Sequence, residues 1–273
     1  MSGESQLLGY MEGAIAELEV CVHALGRHYK APMLVKQGER PVFRYEATDD
    51  VLLSMLKCVR SVSVLNAAVV LLRAGYILEV YALCRIVGEA EQDVTFMALP
   101  SDKDEKLAQD QKRFYDEFFQ EEFEDESKIL DSQKGRDRVS RQRITSAIAN
   151  LEGHPGNPHD VIAIGRTLYQ VFSGYVHGAY VHIMESFGGV APGHFHTRGM
   201  LGTPKIQECE EQLVNYIFRS ICSAEIVALR LKDEGVRERL RGLRKEFGVT
   251  TDCVAKDAKD ARETLNRAKG KPA

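Results

Sequence analysis

The sequence predicts an all-α protein, an irregular multi-helix bundle of about eight helices, from three observations. Apolar residues recur at three- and four-residue intervals through most of the chain, the period of one helix face. No segment alternates apolar and polar side chains as a half-buried strand would. The connections are short and the apolar pattern is continuous, which favours one core over two. Residues 1–248 therefore read as a single helical-bundle domain, and 249–273 as a polar C-terminal tail or loosely attached helix.

Taken in order, Ser5–Tyr29 places Leu7, Leu8, Met11, Ile15, Leu18, Val22 and Leu25 at helical spacing. Pro32, Gly38 and Pro41 mark an irregular connection. Thr48, Asp49 and Asp50 supply N-cap candidates for a second helix running to about Arg73, with a strongly apolar face over Val51–Leu72. After Ala74–Gly75 a third helix spans Tyr76–Leu99 and stops at Pro100. A fourth starts near Ser101–Asp104 and carries Leu107, Phe114, Tyr115, Phe118, Phe119 and Phe123 at core spacing.

Asp116–Glu126 then holds seven acids, and Lys128–Arg143 holds six bases against two acids. Two solvated faces attracting one another explain this pattern, and a phosphate-binding surface is the sharper alternative. Gly153–Pro158 is a loop. Asp160–Gly189 reads as one long helix closed by Gly188–Gly189, with Ser173, His177, Tyr180 and Met184 on one face. Gly174 and Gly178 fall on the next face, where another group can come close. Gly188–Pro204 lacks periodicity. Ile206–Leu231 is amphipathic, with Leu213, Ile217, Ile221, Ile226 and Leu229 inward, and a short basic helix follows over Val236–Phe247.

The bulk numbers narrow the function classes. With 273 residues, 44% hydrophobic and 28% charged, the chain has an ordinary globular composition. A net charge of -4 excludes a generally basic nucleic-acid binder and confines any phosphate contact to a local patch. Six scattered cysteines without a CxxC pair predict a reduced, cytoplasmic protein without structural zinc. The N-terminus has no basic region ahead of an apolar one, so no signal peptide is expected. The apolar run Val62–Leu72 is too short to span a bilayer, so no membrane is expected either.

Two helices carry the chemistry. On the third, Tyr81, Arg85 and Glu89 are successive i, i+4 neighbours extended by Gln92 and Phe96. Charges in so apolar a helix need pairing, so Arg85–Glu89 is either an internal clasp or the wall of a pocket. On the 160–189 segment, His177 suits proton transfer, with Ser173 one turn earlier to bond its ring. A core histidine is the plainer reading. No GxSxG elbow surrounds Ser173, which argues against a nucleophilic hydrolase. His177, His182, Glu185, His194 and His196 cluster in sequence, but HExxH is absent and the Glu-x-x-His order is reversed. No metal and no cofactor is expected.

The pairing of RIVGEA in the third helix with YQVFSGYVHGAY in the later one resembles a group of uncharacterised bacterial all-helical proteins. That group is similar in outline to the HEPN superfamily (higher eukaryotes and prokaryotes nucleotide-binding). The resemblance covers about Val51–Glu185 and maps Arg85 and Glu89 to a first motif, and Tyr169, Ser173 and His177 to a second. It implies a helical bundle, a homo-oligomer, and often metal-independent RNA cleavage, in which Arg85 holds phosphate and His177 moves protons. Glu89 would orient Arg85, and Ser173 or Tyr169 would position His177. One departure stands out: no histidine here follows an arginine on its helix with four to six residues between them, and for His177 those positions hold Gln170, Val171 and Phe172. The expectation is therefore a non-catalytic interaction module of a bacterial defence or stress system. The alternatives are an endoribonuclease using Arg85 and His177, with RNA as partner, and a small-molecule or nucleotide pocket between the two helices.

Overall fold

The computed structural model describes residues 6–37, 40–121, 135–151, 157–188 and 193–251. Its elements are α1 (Gln6–Gly26), β1 (Met33–Gln37), β2 (Arg40–Arg44), α2 (Asp50–Arg73), α3 (Ile77–Ala98), α4 (Glu105–Phe119), α5 (Arg141–Ala149), α6 (Pro158–His177), α7 (Tyr180–Met184), α8 (Lys205–Leu231) and α9 (Glu234–Thr251). The fold is all-α, a multi-helix bundle with one small hairpin. Phe123, Lys128, Lys134, the Gly153–Gly156 loop and nearly all of the 249–273 tail lie outside the described residues.

Caps stand where short polar side chains meet apolar runs. Asp49 accepts a hydrogen bond from the Leu52 amide at 2.6 Å and opens α2. Asp104 does the same for Leu107 in α4, and Ser140 for Arg143 in α5. Asn157 caps α6, whose first residue is Pro158, a position where the missing N–H costs nothing.

The main core is formed by α1, α2, α3, α8 and α9, with Met11, Leu25, Leu65, Ile77, Ile217 and Phe247 fully enclosed. Each such side chain contributes about 1.5–3 kcal/mol by leaving water. A smaller cluster around Leu53, Phe96, Phe114 and Ile144 fixes α4 and α5 to α2 and α3. Phe114 meets Phe96 in it, and Tyr115, Phe118 and Phe119 pack against the cluster. On α8 the expected inward residues Leu213, Ile217 and Ile221 are buried and Ile226 packs on the core, but Leu229 is exposed and Val227 and Ala228 take the interior at that end. Taken whole, α2 is long and apolar enough to cross a membrane, unlike the shorter run weighed above. Half of that stretch is buried here, with Leu52, Leu65 and Leu72 in the main core.

Two expectations are corrected. The connection around Pro32–Pro41 contains an antiparallel hairpin pairing Met33 with Arg44, Leu34 with Phe43 and Val35 with Val42. Nearly every residue of it is exposed, so no face is selected and no alternation marks it. A lone hairpin is marginal in water. This one is tied down by Glu121, which accepts from Gln37 Nε2 at 2.9 Å and from the Arg44 guanidinium. The second correction concerns Asp160–Gly189, which is not one helix. α6 stops at Gly178, whose φ of 62° is left-handed, and α7 starts two residues later in a new direction. The predicted shared face of Ser173, His177, Tyr180 and Met184 therefore does not form.

Charge in the interior is organised by α3, which packs against α2, α5, α6 and α8. Asp93, 1% exposed, meets Lys57 of α2 at 2.7 Å and Arg141 of α5 at 2.5 Å. Buried Glu91 pairs with Arg219 of α8 at 3.0 Å. The described part of the basic segment is spent internally: Arg136 and Arg138 face Glu117, and Arg143 faces Asp110. That favours the solvated-face reading over a phosphate surface.

Removing Asp93 leaves two cations facing an empty carboxylate site. Asp93→Ala is expected to lower unfolding free energy by about 3–5 kcal/mol, measured by urea titration. A loss below 1 kcal/mol would show that water already screens the triad.

Candidate functional site

α3 and α6 lie side by side, and their contact brings three of the five predicted site residues together. Arg85 Nε donates to Glu89 Oε1 at 2.9 Å, one turn along α3. Its Nη2 donates to the Tyr169 hydroxyl of α6 at 2.7 Å, and the guanidinium carbon stands 4.3 Å from the Tyr169 ring centre. Arg85 is mostly buried. A cleft of about 50 Å³ opens beside it, walled by Tyr169, Phe172, Tyr216 and Arg219. The clasp and the pocket wall, offered above as alternatives, are thus the same pair.

The other two residues stand apart. Ser173 is half-buried, and among the described residues its side chain hydrogen-bonds to nothing. His177 is the last residue of α6, exposed, and does not border the Arg85 cleft. It lies eight residues past Tyr169, roughly 12 Å along the helix axis. Within the chain it makes no hydrogen bond to Arg85.

A second polar cluster forms where α7 folds back on α6. The Glu185 carboxylate accepts from the Tyr175 hydroxyl at 3.1 Å and from Lys205 Nζ at 3.0 Å, and meets His182 Nδ1 at 3.3 Å. The His182 ring stacks on Tyr175 with 4.0 Å between centres, and Tyr175 in turn lies 4.7 Å from Tyr81. Burial pushes the Glu185 carboxyl up, but the bonds from Lys205, His182 and Tyr175 outweigh it and hold the group below the usual range. Burial first, and then the Glu185 charge, push the Tyr175 phenol up. Burial likewise raises the Cys209 thiol to about 12, so it is not a nucleophile.

The two glycines picked out on this segment have different jobs. Gly178 supplies the left-handed cap that ends α6. Gly174 makes room for the His182 ring, whose Cδ2 and Nε2 lie only 2.1 and 2.2 Å from where a Cβ would stand. The group that comes close is part of the chain itself. With Nδ1 on Glu185 and Nε2 against the α6 backbone, His182 is placed as a fastener rather than as a proton carrier.

Sequence reasoning left Tyr175, His182, Glu185 and Lys205 out of the site. The one available signal was the crowding of polar side chains between 175 and 185. Lys205 lies twenty residues beyond Glu185, and no spacing connects them. In the loop, His194 and His196 have ring centres 4.9 Å apart. Among the described residues no three His, Cys, Asp or Glu side chains converge on a metal position. Compared with family models, curated proteins and solved structures, the chain matches none.

Two outcomes follow for this clasp. Gly174→Ala expels the His182 ring and is expected to destabilise by about 1–3 kcal/mol, read as a fall in Tm. The Glu185 carboxyl has its folded value below its unfolded one, so its contribution is complete above the ordinary carboxylate range and is lost as pH falls through the folded value. Hydrogen-exchange protection of 179–187 should therefore drop on acidification in the parent and lose that step in Glu185→Gln. Equal acid profiles would rule out Glu185 as the fastening.

Proposed function

We propose that this chain is a non-catalytic helical interaction module that pairs with a second copy of itself through the α6–α7 face. The observation that carries the reading is the exposure of that face. α6 is 20 residues long yet buries only Phe172, and α7 buries nothing. Val171 and Val176 of α6 stay exposed, as do Ile183, Met184, Tyr180 at 76% and Val181 at 62% on α7. Single exposed apolar side chains are ordinary, but a run of them across two joined helices is interface chemistry. From Tyr169 to Met184 there is no Asp, Glu, Lys or Arg. Depletion of charge marks interface cores, and two copies of such a face meet without repulsion.

The non-catalytic part rests on Arg85 and His177. Two of the three guanidinium nitrogens are already engaged by Glu89 and Tyr169. The imidazole that an RNA-cleaving site needs beside it is exposed at the far end of α6. Cys21, Cys58, Cys84 and Cys209 are buried free thiols, which suits a reducing compartment such as the cytoplasm.

Sedimentation equilibrium tests the pairing. The parent is expected to be dimeric at micromolar concentration, and Val181→Glu with Ile183→Glu to be monomeric at unchanged Tm. A monomeric parent overturns self-association. Mixed RNA incubated with the protein in EDTA should stay intact. Cleavage that disappears in His177→Ala overturns the non-catalytic reading.

A further inference from the structure

Arg85 retains one donor that the fold does not answer. Its Nε and Nη2 are engaged, but Nη1 is buried and has no acceptor among the described residues. A buried charged donor left in that state is costly, so the site favours anything that brings an acceptor. The cleft beside it is small, about 50 Å³. Its inner wall is Phe172 and Tyr216, and Leu168 and Tyr169 form a half-exposed apolar mouth.

The charge on this flank of α3 is also uneven. Glu89 and Asp93 between them answer three cations, Arg85, Lys57 and Arg141, and the Arg141 guanidinium also reaches the Glu89 carbonyl. One positive charge is left over, which calls for a single negative one. A dianion would be opposed by Glu89, whose carboxylate lies 2.9 Å from Arg85 Nε. A phosphodiester needs chain leaving on both sides, and a cleft this small takes only an end group. A flat terminal carboxylate with an apolar tail meets all of these conditions.

We propose that the Arg85 cleft binds the carboxylate of a small organic acid whose apolar tail lies against Leu168 and Tyr169. This goes beyond the interaction reading and does not depend on it. Calorimetric titration of the full chain with sodium benzoate tests it, beside sodium chloride and inorganic phosphate at matched ionic strength. Saturable binding of benzoate alone is expected, at one site per chain. Arg85→Gln should weaken it by at least about tenfold, the loss of a charged hydrogen bond. Tyr169→Phe keeps the ring and releases Nη2 from the hydroxyl, so it should tighten binding by about threefold. A folding defect in either variant cannot produce opposite shifts. No saturable heat with benzoate overturns the proposal, as do equal binding of phosphate, parent-like binding by Arg85→Gln, or weaker binding by Tyr169→Phe.

Discussion

One helix, α3, has to hide charge, and the arrangement of its neighbours answers that demand. Asp93, Glu91 and Arg85 sit on a helix enclosed on most sides. Each has a partner on another helix, Lys57 on α2 and Arg141 on α5, Arg219 on α8, and Tyr169 on α6, and Arg85 also holds Glu89 on α3 itself. Hydrophobic burial alone would let these helices slide, because apolar contacts are tolerant of small shifts. A buried carboxylate is not tolerant, since it is stable only with donors at bonding distance. The pairs themselves add little net stability over an apolar core, but their loss is expensive, and that asymmetry selects one register.

Helices whose apolar face meets the core were readable, because the same 3.6-residue period governs both the sequence pattern and the burial. α1, α2 and α3 begin and end within a few residues of where capping side chains and Gly75 or Pro100 place them. The hairpin was not readable, because exposure on both faces erases alternation. The break at Gly178 was not readable either. A glycine inside an apolar run is compatible with a continuing helix, and what decides otherwise is the contact of His182 with Gly174 and of Glu185 with Lys205. On α8 the period was right, but the choice between Leu229 and its neighbours Val227 and Ala228 depended on which partner helix stood opposite.

The site divides along the same line. Arg85 and Glu89 belong to one helix, and their i, i+4 relation fixes them as partners whatever the tertiary structure. Tyr169 was expected to position His177 and meets Arg85 instead. Ser173 and His177 carried suitable chemistry, but whether they approach Arg85 depends on how far α6 runs along α3, which no local spacing encodes. The Glu185 cluster depends on a change of chain direction, so its members were visible only as a crowd of polar letters.

The seating of the His182 ring over Gly174 restricts how this sequence can drift. Any side chain added at 174 occupies the space the imidazole fills, so that substitution is acceptable only alongside a smaller residue at 182. A smaller residue at 182 in turn withdraws one of the donors around Glu185. The two positions form a locked couple, and descendants of this chain should keep both or exchange both in a single lineage.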